Sequence, residues 1–290
     1  MSVHGHNTRL GIMLMAAATL VFALQDGISK HLAAEYNTMM VIMVRYWFFA
    51  LFVIALAARQ SGGIRQAART RQPVLQSIRA LLLVTEICVA VYGFTLLGLV
   101  ESQAVFAVYP LLVAALSGPV LGERVGWRRW AAIGTGMVGI LIILQPGSGV
   151  FQTAALVPFA SALLFAIYGL LTRYAARQDS AGTSFFWTGT VGALAMTFAG
   201  VWFWQPMVGG DWGWMAVLCV TGALGHYLLI KCYEVAEASA VQPFAYLHLV
   251  FAAILGVTVF GEVIRWNVAL GAGIVVAAGL FTLARERANA

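Results

Sequence analysis

Five ionisable side chains interrupt long apolar stretches of this sequence, and their types are the ones that could do chemistry. They are Asp26, Arg45, Glu86, His226 and His248. An ionisable group in hydrocarbon costs at least about 2.5 kcal/mol even on lenient scales, so each should face a cavity or a partner. These residues therefore predict a polar site inside the protein that could bind a small molecule or move a proton.

Asp26 and Arg45 fall at matching depths in the first two apolar stretches. One interpretation is a structural ion pair between neighbouring helices. The other is that Arg45 captures a substrate carboxylate, for which the planar fork of a guanidinium is suited. Depth along the chain does not choose between the two.

Glu86 stands in the apolar run LLLVTEICVAVYGF with no cation nearby in that run. Loss of water favours the neutral form of a carboxyl group, so Glu86 could take up and release a proton. It could equally bind a substrate ammonium, or be a protonated carboxyl that hydrogen-bonds to a neighbouring helix. His226 and His248 are single imidazoles that either fill the core or donate to the substrate or to a coupling proton.

Three tyrosines and two prolines complete the candidate site. Tyr109, Tyr168 and Tyr246 fall at or close to mid-depth, where phenol groups suit substrates with an apolar or aromatic body and a polar end. Core filling is the alternative for each tyrosine. Pro110 and Pro243 lie in matching helices, where a missing backbone donor can bend the helix, so we expect them to act as hinges.

A membrane enzyme is the competing class of function. It would need a nucleophile with a base, or a metal cluster, at one depth. Ser102 and Ser239 fall far in depth from His226 and His248, and no HExxH-like spacing occurs. No Gly-rich phosphate loop is present, so ATP is not expected as a direct energy source. We expect no enzymatic activity, no cofactor and no metal.

The composition shows what surrounds these residues. Of 290 residues, 61% are hydrophobic and only 10% are charged, whereas a soluble domain has roughly a quarter of its residues charged. Apolar runs of about 20 residues recur, which is long enough to cross a ~30 Å hydrocarbon core. The sequence therefore predicts an all-α integral membrane protein in contact with the lipid bilayer.

Charged, glycine, proline and polar breaks divide the chain into ten transmembrane helices. They run approximately Arg9–Ala33, Thr38–Ala58, Pro73–Leu97, Ser102–Leu121, Trp127–Leu144, Phe151–Tyr174, Thr183–Trp204, Trp212–Ala236, Ser239–Phe260 and Trp266–Ala284. Twelve arginines collect on one side of this arrangement, and Lys30 and Arg265 alone on the other. The positive-inside rule then places both termini in the cytoplasm. This bias explains the net charge of +6 without a nucleic-acid partner.

Three short motifs occur twice, in the same order. They are FALQDGISK and FAIYGLLTR, ESQAV and EASAV, and GERVGW and GEVIRW. The unit is therefore five helices, with residues 1–145 as the first repeat and residues 146–290 as the second. Because five is odd, the second repeat is inverted in the membrane. Inverted repeats are typical of secondary transporters, which alternate between two packings around a central site.

The repeated glutamates, Glu123 and Glu262, fall at the ends of spans four and nine. Water or the N-terminus of the following helix can stabilise a carboxylate there, so we expect both to cap and fix loops.

Small residues recur every four positions in spans five and ten, and small residues let helices approach closely in lipid. The two predicted packing faces are Ala131, Thr135 and Gly139, and Ala269, Gly273 and Ala277.

The ten spans, the five-plus-five arrangement and the Gly-Glu motif resemble the drug/metabolite transporter superfamily in its EamA-like branch. Matching residues include Arg45, Arg79, Pro110 and the run VQPFAYLHLVFAAILGVTVFGE from Val241 to Glu262. Within this family the sequence is most similar to bacterial exporters of amino acids, including those of aromatic amino acids and methyl viologen. The resemblance implies a cavity lined mainly by spans one, three, four, six, eight and nine, with spans five and ten as a peripheral pair.

The resemblance implies a secondary transporter in the cytoplasmic (inner) membrane that exports small metabolites, foremost aromatic or neutral amino acids, by alternating access. The expected substrate-binding residues are Arg45, Glu86, Tyr109, Tyr168, His226, Tyr246 and His248. Efflux of cationic drugs such as methyl viologen and uptake of another small metabolite are the alternatives. The sequence leaves open whether the protein is a monomer or a homodimer.

Overall fold

The computed structural model describes residues 7–60, 62–122, 127–144, 153–236, 241 and 244–288. For Arg128, Arg129, Leu144, Gly279 and residues 282–288 it describes the backbone alone. Pro243, a predicted hinge, and Glu123, a predicted cap, lie outside the described residues.

The described part of the chain is helical, with two short 3₁₀ turns and no strand. The helices are α1 Thr8–Glu35, α2 Thr38–Ala58, α3 Gly63–Ala68, α4 Pro73–Leu97, α5 Leu99–Phe106, α6 Tyr109–Leu121, α7 Trp127–Leu144, α8 Leu156–Ala175, α9 Ala181–Gly200, α10 Asp211–Val235, α11 Leu247–Phe260 and α12 Trp266–Ala288. Polar residues fix where several of them start. Asn7, Asn37 and Ser180 accept hydrogen bonds from backbone N–H groups of α1, α2 and α9.

Seven described segments are long and apolar enough to cross a membrane. They are α1, α2, α4, the α5–α6 pair, α8 with the turn before it, α9 with the turn after it, and α10. Shorter apolar helices, Trp130–Ile143, Leu247–Phe260 and Trp266–Ala278, occupy the places of predicted spans five, nine and ten. An all-helical, multi-span fold is therefore confirmed, and the number of ten crossings stays a prediction.

Helices of the first half pack against helices of the second half, and α1 and α10 run antiparallel. At one end of the α1–α10 pair, the Asn7 N–H donates to the Val235 carbonyl over 3.1 Å, and at the other end the Tyr36 hydroxyl donates to Asp211 over 2.7 Å. The other main pairs between the halves are α4–α8, α2–α9, α7–α12, α6–α8 and α1–α11.

This set of helix pairs is the one expected if a two-fold axis relates the two halves. If α1 corresponds to α8 and α4 to α10, then α1–α10 and α8–α4 are the same contact seen twice. The contacts α6–α8 and α11–α1 are related in the same way, while α2–α9 and α7–α12 lie on the axis. Such an axis in the membrane plane relates inverted repeats. The boundary between residues 145 and 146 lies outside the described residues and stays a prediction.

The α7–α12 pair packs through Gly139, which was predicted, and through Gly271 and Asn267, which were not. A Cβ atom added at Gly139 would lie 2.7 Å from the Gly271 carbonyl oxygen, and one at Gly271 would lie 2.5 Å from that of Gly139. Asn267 Nδ2 donates to the Ile143 carbonyl over 3.1 Å. The prediction is right for Gly139 and wrong for the other five residues, because Ala131, Thr135, Ala269, Gly273 and Ala277 are exposed. A four-residue spacing identifies a face of small residues but not the face that meets the partner.

Predicted span four is broken near its middle. Helix α5 ends at Phe106, α6 begins at Tyr109, and Pro110 stands in the first turn of α6. Proline lacks the backbone N–H that would continue the hydrogen-bond ladder, which explains a break at this point. Phe106 and Tyr109, which flank the break, both line the central cavity.

Candidate functional site

A cavity of about 50 Å³ lies in the middle of the bundle. It brings together all five ionisable residues expected from the sequence, Asp26, Arg45, Glu86, His226 and His248. Helices α1, α2, α4, α5, α6, α8, α10 and α11 contribute to its wall. Since one water takes about 30 Å³ of liquid, this volume holds a water or two. Small-molecule sites occupy about 300–1,000 Å³, so the described state is a contracted one.

Asp26 on α1 joins two helices at one side of the cavity. Its Oδ2 accepts hydrogen bonds from Gln103 Nε2 at 2.8 Å and from His248 Nε2 at 2.9 Å. An ionised carboxylate only accepts, so its contact to His248 places a proton on Nε2 of that ring.

The predicted ion pair between Asp26 and Arg45 is wrong. Asp26 instead pairs with His248, and Arg45 contacts His226. Matching depth fixed the height of the two residues in their helices but not the direction in which each side chain leaves its helix. Asp26 faces α5 and α11, whereas Arg45 faces α10.

Arg45 on α2 is 3% exposed, and its Nη2 lies 3.2 Å from His226 Nε2. Among the described residues no carboxylate lies within ion-pair distance of its guanidinium. Gly222 on α10 leaves room for this side chain, since a Cβ atom there would lie 2.5 Å from Arg45 Nε. The cavity wall thus carries a cation without an anionic partner among the described residues.

Glu86 on α4 lines the cavity, is 5% exposed and meets the neighbouring helix α8. Its Oε1 accepts a hydrogen bond of 2.8 Å from the Ser161 hydroxyl. The second carboxyl oxygen is available to a ligand or a proton. This geometry is compatible with each of the three roles considered for Glu86.

Aromatic rings fill the space between the polar groups. The Phe22 ring lies between the two imidazoles, 5.1 Å from His226 and 6.2 Å from His248. It meets Phe165 edge to face at 6.4 Å, and Phe165 meets Tyr109 at 5.1 Å. Sequence reasoning missed Phe22 and Phe165 as cavity residues. The signal was present, because these two phenylalanines occupy the same position in the repeated FALQDGISK and FAIYGLLTR motifs.

Two of the three predicted site tyrosines are not part of the cavity wall. Tyr109 lines the cavity, whereas Tyr168 and Tyr246 lie outside its lining. The Tyr168 hydroxyl accepts a hydrogen bond from Arg79 at 3.3 Å. The Tyr246 hydroxyl is buried and has no hydrogen-bond partner among the described atoms. A substrate role for these two tyrosines would need the cavity to enlarge.

Arg79 lies beside the cavity in a network of buried hydrogen bonds. Sequence reasoning gave Arg79 no role in the site. It is fully buried and donates to Gln76 Oε1 at 2.9 Å, Thr188 Oγ1 at 2.8 Å and the Ser184 carbonyl at 2.5 Å. Gln76 continues the network to Asp179 at 2.9 Å. The network ties α4 to α9 near one membrane face.

Glu262 ties helices together near the other face. It accepts from the backbone N–H groups of Leu99 and Val100 at 2.8 and 2.7 Å, and from Lys30. Partial burial disfavours its ionised form, but the hydrogen bonds outweigh that effect and hold the pKa of Glu262 below its ordinary value. Glu262 thus caps α5, whereas water or the N-terminus of the following helix, α12, was expected to stabilise it. Arg265 and Glu101 form a second ion pair nearby at 2.5 Å.

Comparison with known proteins places this architecture among membrane transporters. The sequence pattern of the EamA-like transporter family matches residues 9–145 and 152–284. A crystal structure has the same fold, with a TM-score of 0.69, 17% identity and coverage of 98% of each chain.

Three curated relatives show what similar chains carry. The S-adenosylmethionine uptake transporter of Rickettsia prowazekii is 24% identical over 96% of this chain and 93% of its own. The riboflavin transporter of Vibrio cholerae is 29% identical over 93% and 92%. The pseudopaline exporter of Pseudomonas aeruginosa is 22% identical over 96% of both chains. None of these three names denotes amino-acid export.

Proposed function

The chain belongs to the EamA-like transporter family, and we propose that it moves a zwitterionic metabolite with an amino-acid group through the central cavity. Membership confirms the resemblance expected from the sequence, and the chain is a small-molecule transporter of a membrane. The amino-acid group, the direction of transport and the residues that bind are the proposed part.

Arg45 carries this proposal. It is a buried guanidinium in the cavity wall with an imidazole, and no carboxylate, as its described partner. A buried charge that no counter-ion contacts directly is unfavourable, so the site favours a ligand that brings an anionic group to the guanidinium. A carboxylate accepts two parallel N–H bonds from a guanidinium and is the natural counterpart.

The rest of the cavity suits the other parts of such a molecule. Asp26 and Glu86 offer carboxyl oxygens to an ammonium group. Phe22, Phe165 and Tyr109 offer ring faces and edges to an apolar or aromatic body. Aromatic and neutral amino acids fit this description. S-adenosylmethionine, which combines an amino-acid group with an aromatic base, fits it as well and stands in the name of the Rickettsia prowazekii relative.

Efflux of cationic drugs such as methyl viologen is the second candidate. Asp26, Glu86 and the phenylalanine rings would attract a cation. Arg45 opposes it, because its guanidinium lines the same cavity and would repel a dication. We therefore place amino-acid compounds first. Uptake stays an alternative to export, since alternating access is reversible and relatives of both kinds are named.

Alternating access requires the contracted cavity to enlarge and open to each side in turn. The break between α5 and α6 offers a place for the required bending, with Pro110 as the hinge. The Arg79 network and the Glu262 cluster lie toward opposite faces and would close the two ends in turn. We further propose the cytoplasmic membrane as the location, with both termini on its arginine-rich side.

Transport into proteoliposomes tests the proposal directly. We would reconstitute the purified full chain and measure uptake of labelled phenylalanine, threonine, S-adenosylmethionine, riboflavin and methyl viologen, with empty liposomes as the control. Saturable uptake of at least one of the first three, and neither of the last two, is the expected result. Saturable uptake of methyl viologen or riboflavin alone, by protein shown to be folded, would overturn the amino-acid assignment.

A further inference from the structure

We propose that a second cleft, beside helix α3, binds an anionic phospholipid. Arg65 and Arg69 bind the phosphate of the headgroup, and an acyl chain covers the apolar part of the wall. This inference concerns a site other than the central cavity and goes beyond the proposed function.

The cleft is large and separate from the central cavity. Its volume is about 1440 Å³, and α2, α3, α9 and α10 contribute to its wall. Among the described residues, none lines both the cleft and the central cavity. Small-molecule sites occupy about 300–1,000 Å³, so the cleft has room for a larger ligand.

The cleft extends past the end of the apolar span on the arginine-rich side. On α2 it is lined from Val53, inside the span, to Gln60, beyond the end of the helix at Ala58. This stretch covers about 10 Å along the helix axis. On α10 it reaches Tyr227, about two helical turns before the end of that helix. A ligand that fills the cleft therefore reaches from the headgroup region into the hydrocarbon.

The part of the wall inside the span is apolar. Leu56 on α2 is 41% exposed, and Phe185 and Phe186 on α9 line the cleft beside it. Contact of such a wall with water is unfavourable, whereas an acyl chain covers it without that cost. A soluble anion would leave this part of the cleft empty.

Two arginines supply positive charge to the same cleft. Arg65 and Arg69 lie four residues apart at the C-terminal end of α3, and both are exposed. No carboxylate of the described residues lies within ion-pair distance of either guanidinium. Trp187 on α9 donates to the Ala68 carbonyl over 3.1 Å and holds this end of α3 in place. A guanidinium is suited to bind phosphate oxygens in pairs.

The two other charged residues that line the cleft are already paired. Lys231 contacts Glu234 at 2.6 Å. Asp179 would repel an anion, but it is 7% exposed and accepts hydrogen bonds from Gln76 at 2.9 Å and from the Arg71 N–H at 3.3 Å. The charge available to a ligand is therefore that of the two arginines.

The combination of these features identifies the class of ligand. Basic pockets between transmembrane helices on the cytoplasmic side are suited to anionic lipid headgroups. Here the cationic residues and the apolar wall belong to one cleft, at the depth where a phospholipid changes from headgroup to chain. A phospholipid with a net negative charge fits both parts.

Native mass spectrometry of the full chain, stripped of lipid in a neutral detergent, tests the proposal. We would titrate phosphatidylglycerol and phosphatidylcholine with the same acyl chains. Phosphatidylglycerol should bind at least about tenfold more tightly, because each arginine near an anionic headgroup contributes about a fivefold factor. A large excess of sn-glycerol 3-phosphate, which has the phosphate but no chains, should not displace it.

Two double variants show whether the cleft is the binding site. Arg65→Gln with Arg69→Gln should reduce the preference for phosphatidylglycerol to below about threefold. Arg59→Gln with Arg71→Gln removes the same charge at two exposed arginines that do not line the cleft, and should keep the preference. The melting temperature of each variant checks its folding. Equal binding of the two lipids by the wild type, an equal loss in both double variants, or displacement by sn-glycerol 3-phosphate would overturn the proposal.

Discussion

The guanidinium of Arg45 contacts the imidazole of His226 at 3.2 Å, and Asp26, the acidic residue expected to pair with it, pairs with His248 at 2.9 Å instead. The exchange of partners leaves the two charged residues in one cavity without neutralising each other directly. A site that carries both a cation and carboxyl groups is suited to a zwitterion.

Replacing Gly222 by Ala should impair transport without removing any functional group. The new Cβ atom would lie 2.5 Å from Arg45 Nε, so the guanidinium must move away from His226. Overpacking of this kind typically costs about 1–3 kcal/mol of stability. We expect the substrate concentration at half-saturation to rise at least tenfold and the melting temperature to fall. Gly213→Ala is the matched control, because a Cβ atom at that position of the same helix meets nothing within 4 Å. Wild-type kinetics in Gly222→Ala would show that the position of Arg45 does not matter.

Glu86→Gln tests whether this carboxyl group meets the substrate ammonium. Glutamine keeps the size of the side chain and an oxygen that can accept from Ser161, so the packing of α4 on α8 should survive. Loss of the charge should weaken binding of phenylalanine by at least about tenfold, the worth of one charge-assisted hydrogen bond, and leave N-acetylphenylalanine unaffected. Ser161→Ala serves as the control for the hydrogen bond alone. An equal loss for both ligands would point to a structural role for Glu86.

Glu262 should make the stability of the protein sensitive to acid. Its pKa in the folded protein lies below the ordinary value of 4.5 because Lys30 and the N–H groups of Leu99 and Val100 donate to it, against the opposing effect of burial. The folded state therefore gains stability from Glu262 at pH values above the unfolded pKa, and loses that gain as the pH falls through the folded pKa.

The matching measurement is the melting temperature as a function of pH. At neutral pH, Glu262→Gln should be destabilised by about 1–3 kcal/mol, as for other hydrogen bonds to a charged group. The difference from the wild type should shrink as the pH falls below about 4.5. A difference that stays constant down to the lowest pH at which the protein is folded would contradict the role of ionised Glu262.

Gly271→Ala should loosen the α7–α12 pair. The added Cβ atom would meet the Gly139 carbonyl oxygen at 2.5 Å, and backbone can move aside only by separating the helices. We expect a loss of about 1–3 kcal/mol, as for other overpacked sites, measured as a lower melting temperature in detergent. Gly273→Ala on the same helix meets nothing within 4 Å and should be neutral. The reverse ranking of the two variants would show that α12 presents its other face to α7.

The positions of the helices and the order of the repeated motifs could be predicted from the sequence, because both depend only on the order of residues along the chain. The helices α1, α2, α4 and α10 agree with the predicted spans to within a few residues. The five ionisable residues of the cavity were identified because a charge in hydrocarbon needs a polar environment wherever the chain folds.

The direction in which each side chain leaves its helix could not be predicted in this way. The partners of Asp26 and Arg45, and the face of α12 that meets α7, depend on helix rotations that a few residues of spacing do not fix. The break before Tyr109 depends on how Pro110 is accommodated by its neighbours. Phe22 and Phe165 have no polar group to mark them, so their place in the cavity emerges only when the two halves meet.

The central claim is that Arg45 binds the acidic group of the transported molecule. The most direct measurement compares substrate uptake into proteoliposomes by the wild type, Arg45→Lys and Arg45→Met, each checked for folding by its melting temperature. We expect Arg45→Met to lose saturable uptake, and Arg45→Lys to keep a weaker activity, because lysine retains the charge but not the planar fork. Uptake by Arg45→Met with the rate and half-saturation of the wild type would contradict the account.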